Sequence, residues 1–186
     1  MDLQSLYHDL SEAARAQGID NKLVFGEGKL APRIMLIGEA PGEQEERQGK
    51  PFVGKAGQNL NTFLSVLGMH REDIFISNLV KLRPTKISAA GNVVNRPPTL
   101  EEKAFFAPYL RKEIAIVSPL LIVTLGNTAL SAFCNRSVGS VHGMPLKVGE
   151  YKLFPLYHPA AIIYNPALNA EYAKDLHGLK QLLERL

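Results

Sequence analysis

The chain of 186 residues holds one cysteine, Cys134. A lone thiol excludes an internal disulfide framework, and it excludes any metal or iron–sulfur site built from this chain's cysteines alone. No apolar run reaches the roughly 20 residues that a membrane-spanning helix needs. The N-terminus, MDLQSLYHDL, has neither a basic start nor a continuous apolar core, so it does not read as a secretory signal. Internal repeats, low-complexity tracts and linkers are lacking as well. These absences point to one domain over residues 1–186, cytoplasmic and monomeric, with no metal and no cofactor. The formal charge of +3 and the pI of about 9.0 permit a polyanionic partner without requiring one.

Against these absences stands a hydrophobic content of 46%, enough for a sizeable core. The densest stretch is Ile34 to Gly57, IMLIGEAPGEQEERQGKPFVGKAG. Its apolar opening reads as a buried strand of a parallel sheet. Gly38 ends that strand, and Glu39, Ala40, Pro41 and Gly42 predict a tight turn. Further strands are predicted over 73–80 (DIFISNLV), 120–125 (LLIVTL) and 151–156 (YKLFPL). A strand or loop is predicted over 22–29. Helices are expected from Leu3 to Gln17, around Leu60 to Leu67, from Thr99 to about Val117, and over 168–186. Thr99 and Glu102 have the spacing of a capping box. The segment from Leu82 to Pro98 reads as a long loop. Strands alternating with helices predict an α/β fold with helices on both faces of a parallel sheet.

In such sheets ligands bind beyond the carboxyl ends of the strands. Glu39, Asn78, Gly126-Asn127 and His158 each follow a strand and are placed to converge there. Phe52, bracketed by Gly49 and Gly54, reads as an exposed aromatic able to stack on a flat ring. The acidic group Glu43, Glu45 and Glu46 reads mainly as a solvated loop. The run Gly49 to Ala56 nearly matches a phosphate loop, but Ala56 stands where a magnesium-binding hydroxyl is needed, so the match is accidental. His8, His70 and His177 read as surface histidines, and Cys134 as a buried inert thiol.

Four segments together carry a family resemblance: Gly38 to Gly57, Ser77 to Pro84 (SNLVKLRP), Leu121 to Gly126 (LIVTLG) and Tyr157 to Pro166 (YHPAAIIYNP). In this order they resemble the uracil-DNA glycosylase superfamily, nearest its family 4 branch, over roughly residues 22–184. The resemblance implies a three-layer αβα fold with a four-stranded parallel central sheet. It implies excision of uracil from DNA by cleavage of the N-glycosidic bond. It makes Phe52 the aromatic that stacks on the flipped base and Asn78 the group that pairs with the uracil edge. Glu45 becomes the acid that crowds C5 and rejects thymine, and His158 the histidine beside uracil O2. Ile162 and Ile163 fall in the segment that wedges into the duplex. Lys55, Lys81, Arg83 and Lys86 are candidate phosphate contacts. Ala40 stands where other branches carry a water-positioning aspartate, which leaves Glu39 as a possible catalytic substitute.

Two departures from the family stand out. Its fourth branch holds an iron–sulfur cluster through four cysteines, and here Leu82 and Phe106 replace two of them, while none occurs near Ser11 to Ala14. The Leu82–Pro98 loop is also longer than the family's. Readings that stay open are a glycosylase for another deaminated base, hypoxanthine or xanthine, and a non-catalytic DNA-lesion binder.

Overall fold

The computed structural model describes residues 1–186, except the side chains of Ala56, Ile163 and Tyr164. In chain order its elements are α1 (Leu3–Ala16), β1 (Glu27–Gly28), β2 (Ile34–Gly38), α2 (Glu43–Gln48), α3 (Lys55–Leu67), β3 (Phe75–Asn78), β4 (Thr85–Ile87) and β5 (Val93–Asn95). There follow α4 (Leu100–Val117), β6 (Leu121–Leu125), α5 (Gly126–Leu130), α6 (Val138–Val141), β7 (Leu146–Val148), β8 (Tyr151–Leu156), α7 (Pro159–Tyr164) and α8 (Asn169–Glu184).

The central sheet runs β1-β3-β2-β6-β8-β7. Its inner strands β3, β2, β6 and β8 are parallel, as expected. Two short antiparallel edge strands, β1 on β3 and β7 on β8, extend the four to six. These edges are only two and three residues long, so they leave no periodic signal in the sequence.

Alternation along the inner strands sorts the core into two layers. Met35, Ile37, Phe75, Ile122 and Leu153 point to one face, where α1, α4, α5 and α6 cover them through Leu10, Phe106, Leu110, Leu130 and Val141. Ile34, Leu36, Ile76, Val123 and Phe154 point to the other, against Leu60, Phe63 and Leu64 of α3 and Leu176 and Leu179 of α8. Burial on both faces is why these strands read as unbroken apolar runs. Thr99 caps α4 as its spacing predicts: its hydroxyl accepts from the Glu102 N–H at 3.1 Å, and the Glu102 carboxylate accepts from the Thr99 N–H at 2.7 Å.

Two segments read as loops are ordered. Glu43–Gln48 is a helical turn, and the 82–98 segment contains the hairpin β4–β5. Because the four inner strands are parallel, Gly38, Asn78, Leu125 and Leu156 end at one edge, and the turns leaving that edge meet.

Candidate active site

At that edge lies a cleft of about 330 Å³, lined among others by Ala40, Glu45, Phe52, Lys55, Asn78 and His158. Gly38, at the end of β2, lies directly behind two of its walls, Asn78 and Phe52. A Cβ at this position would collide with Asn78 Oδ1 and lie 2.6 Å from Phe52 Cζ, so only glycine lets both side chains close over the strand end. Asn78 is 3% exposed and Phe52 4%. Phe52 is therefore a buried wall of the cleft and not the exposed aromatic that its flanking glycines suggest.

The Phe52 backbone has φ of +52°, which side-chain-bearing residues rarely adopt. The loop is held there from both sides. After Phe52, the Glu45 carboxylate accepts from the N–H groups of Val53 and Gly54 at 3.1 and 2.9 Å. Before it, Arg71 donates to the carbonyls of Pro51 and Phe52 at 2.5 and 3.0 Å, and its guanidinium pairs with Glu27 at 3.0 Å. Gly57 leaves room for the Phe52 carbonyl, which a Cβ there would strike. Glu45 is thus an ordered loop anchor as well as a lining residue, and it sits on a helix instead of a solvated loop.

His158 follows β8 and caps α7, with Nδ1 accepting from the Ala160 N–H at 3.2 Å. A ring nitrogen that accepts carries no proton, so the neutral imidazole holds its proton on Nε2. Burial pushes the His158 pKa below the ordinary 6.5, and the Glu39 carboxylate partly opposes that shift. The result is a neutral N–H donor on the cleft wall. Glu39 stands in the turn after β2, beside this histidine but outside the cleft lining.

Two phosphate contacts expected from sequence are corrected by the structure. Lys81 is fully buried, its ammonium donating to Glu113 at 2.8 Å, to the Asn78 carbonyl at 2.9 Å and to Ser77 Oγ. Ser77 Oγ and the Tyr7 hydroxyl in turn donate to Glu113 at 2.7 and 2.6 Å. Three acceptors around the ammonium and three donors around the Glu113 carboxylate offset the cost of burying the pair. Lys81 supports the Asn78 backbone and faces no solvent. Arg83 is turned inward too, donating to Asn95 Oδ1 at 2.7 Å and pairing with Glu46 at 3.3 Å and Glu43 at 3.7 Å. Lys55 and Lys86 are exposed. Ile162 lines a second, more apolar cavity of about 560 Å³ with Phe63 and Tyr172, and the Ile163 side chain lies outside the described residues.

Arg71 and Asn95 belong to the site and were not legible in the sequence. Arg71 lies 19 residues from its Phe52 partner, and Asn95 reaches the cleft only because the hairpin folds back.

The residues do not fit the iron–sulfur cluster that the family resemblance implies. Ala14, Leu82 and Phe106 are buried apolar side chains, 1%, 5% and 0% exposed. Cys134 is half-buried beyond the end of α5, where it packs on the core. Among the described residues no group of three or more His, Cys, Asp or Glu is placed to hold a metal ion, and no helix is long and apolar enough to cross a membrane.

The sequence profile of the uracil DNA glycosylase superfamily matches residues 25–180. The chain is 42% identical over 169 residues to a type-4 uracil-DNA glycosylase of Thermotoga maritima, covering 88% of this chain and 84% of that protein. It is 40% identical over 171 residues to the type-4 enzyme of Saccharolobus solfataricus, covering 86% and 76%. With that of Pyrobaculum aerophilum it shares 37% over 188 residues, covering 95% and 92%. On the strength of this match, which spans the sheet and every residue of the cleft, the chain belongs to the uracil DNA glycosylase superfamily.

Proposed function

We propose that this protein is a monofunctional DNA glycosylase of base excision repair that excises uracil by hydrolysing the N-glycosidic bond. One observation carries the reading: a buried aromatic, a carboxamide and a neutral imidazole donor wall a single cleft at the sheet edge.

A base inside a duplex is out of reach, so the nucleotide is flipped out at a cost of a few kcal/mol. Phe52 then offers a face for the ring. The Asn78 carboxamide supplies an acceptor for uracil N3–H and a donor for O4, a pairing that cytosine cannot meet. Glu45 and Ala40 close the wall around the C5 edge, where the methyl group of thymine would project. Lys55 at the cleft mouth meets a phosphate, and Ile162 and Ile163 on α7 follow the site as the wedge segment.

Bond cleavage leaves a cationic sugar and an anionic base. A donor fixed where that negative charge grows lowers the barrier by about 3 kcal/mol. His158 Nε2–H, aimed at O2, is such a donor, and being neutral it gains most when the oxygen becomes negative. Backbone N–H groups of the 39–42 turn assist. Glu39 beside His158 is the candidate to position water and to balance the sugar cation.

The test is base release from oligonucleotides that carry one uracil, hypoxanthine, xanthine or thymine. Release of uracil alone, slowed on the order of 10²–10³ in folded His158→Ala with DNA affinity kept, is the expected result. Parental rates in that variant would remove His158 from catalysis. Lesion binding without release of any base would make the protein a binder.

A further inference from the structure

The hairpin β4–β5 carries an apolar tip. Its strands pair antiparallel with Lys86 opposite Val94 and Ile87 opposite Val93, and neither strand joins the central sheet. Ile87 is 67% exposed and Val93 57%. Cross-strand partners point to the same face, so these two β-branched side chains form one uncovered apolar pair.

A free two-stranded hairpin is marginal in water. This one is fastened at its base and at its turn. Arg96 donates from its backbone to the Pro84 carbonyl and from Nε to the Thr85 carbonyl, both at 3.0 Å, and forks onto Glu102 of α4 with two bonds of 2.7 Å. Arg83 holds Asn95 from the other side. At the turn, Ser88 N–H donates to the Asn92 carbonyl at 2.8 Å and Gly91 N–H to the Ser88 carbonyl at 2.9 Å, with Gly91 at φ +79°. The structure therefore holds an apolar pair rigidly in solvent.

Its position relates it to the cleft. Asn95, at the base of the hairpin, lines the cleft, and the Ile87–Val93 pair lies two residues further out, about 7 Å along the strand. The hairpin follows β3, whereas α7 follows β8. With β2 and β6 between them, β3 and β8 lie about 14 Å apart in the sheet, and Asn95 of the hairpin and His158 before α7 both line the cleft. From residue 74 to residue 100 the chain has no aspartate or glutamate, so nothing on the hairpin repels phosphate.

We propose that the β4–β5 hairpin is a second DNA-engaging element, whose Ile87–Val93 tip presses as an apolar wedge against base edges of the duplex beside the flipped nucleotide. Apolar side chains inserted from the minor groove unstack base steps and so lower the cost of extruding a nucleotide. The inference rests on the glycosylase reading above. It assigns the hairpin to duplex DNA, because a single strand has no stacked pairs to open.

The experiment compares uracil release from a duplex and from the same strand alone, for the parental protein and for the double variant Ile87→Ser/Val93→Ser. Both side chains are exposed, so the fold is not at risk, and single-strand activity is the internal control. The expected result is a loss on the order of tenfold on the duplex with the single-strand rate unchanged. Parental rates on both substrates would overturn the proposal, as would an equal loss on both, which would place the hairpin's effect on the cleft through Asn95. If the parental protein releases uracil from neither substrate, the glycosylase reading itself fails. Binding of both proteins to a duplex with an abasic-site analogue then decides for the hairpin: weaker binding by the variant supports it, and equal binding overturns it.

Discussion

Gly38→Ala is the sharpest perturbation of the cleft. The added methyl would overlap Asn78 Oδ1 and sit 2.6 and 3.0 Å from two ring atoms of Phe52. Carbon atoms in contact rest at about 3.5–4.0 Å, so at least one of these side chains must move by about 1 Å. At 3% and 4% exposure neither has space behind it, and the direction left open is into the cleft. Overpacking by one methyl costs about 1–3 kcal/mol, a fall of several degrees in Tm for a chain of this size. The effect on chemistry is larger, because a 1 Å misplacement of reacting partners costs on the order of 10² in rate. Single-turnover uracil release should therefore drop about a hundredfold in a protein that still folds cooperatively. Gly68→Ala is the control. Gly68 has φ of +67° with nothing within 4 Å of an added Cβ, so alanine there strains the backbone by about 1 kcal/mol and leaves the rate alone. A folded Gly38→Ala with the parental rate would refute the assignment of Asn78 and Phe52 to the base.

Three further outcomes are expected. Arg71→Ala frees the Pro51 and Phe52 carbonyls and should lower uracil release on the order of tenfold or more, and Arg71→Lys, which keeps the charge but not the fork, should recover only part; equal rates in all three proteins would dismiss the clamp. Because His158 titrates below 6.5 in the fold, the unfolded chain binds the extra proton first, so stability should fall as pH drops below about 6.5, with a shallower slope in His158→Asn by denaturant titration. Lys81→Met leaves Glu113 buried and unpaired, and should lower Tm by on the order of ten degrees without changing the salt dependence of DNA binding; a Tm near the parental value would contradict the buried pair.

The parts of the fold legible from sequence are those fixed by local pattern. Strand β8 spans Tyr151 to Leu156 as its composition predicts, and the apolar runs at 34–37 and 121–125 mark strands covered on both faces. The parts not legible depend on partners far along the chain. Lys81 looks like a basic residue after a strand, because its partner Glu113 lies 32 positions away. Phe52 looks exposed between its glycines, because the groups that draw the loop inward, Glu45, Arg71 and the absent side chain of Gly38, leave no periodic mark. The hairpin is hidden for another reason: its strands bury almost nothing, so alternation has nothing to encode.

The same long-range partners explain how the site can stand without an iron–sulfur cluster. By family resemblance the cluster cysteines would come from α1, from the segment just after β3 and from α4. In this chain those three elements are joined twice over. Leu10 of α1, Leu82 after β3 and Phe106 of α4 are all buried in one core layer on one side of the sheet. Beside them Tyr7 of α1 and Lys81 after β3 both bond to Glu113 of α4. A thiolate cluster fixes the directions of its ligands, whereas apolar packing alone leaves sliding freedom. Directional hydrogen bonds restore that constraint, and burial strengthens them. The Lys81 ammonium closes the network on the Asn78 carbonyl, 2.9 Å away. The polar network thus ends on the backbone of Asn78, the residue proposed to read the base, and this gives a buried lysine a reason to persist where a hydrophobic side chain would pack at lower desolvation cost.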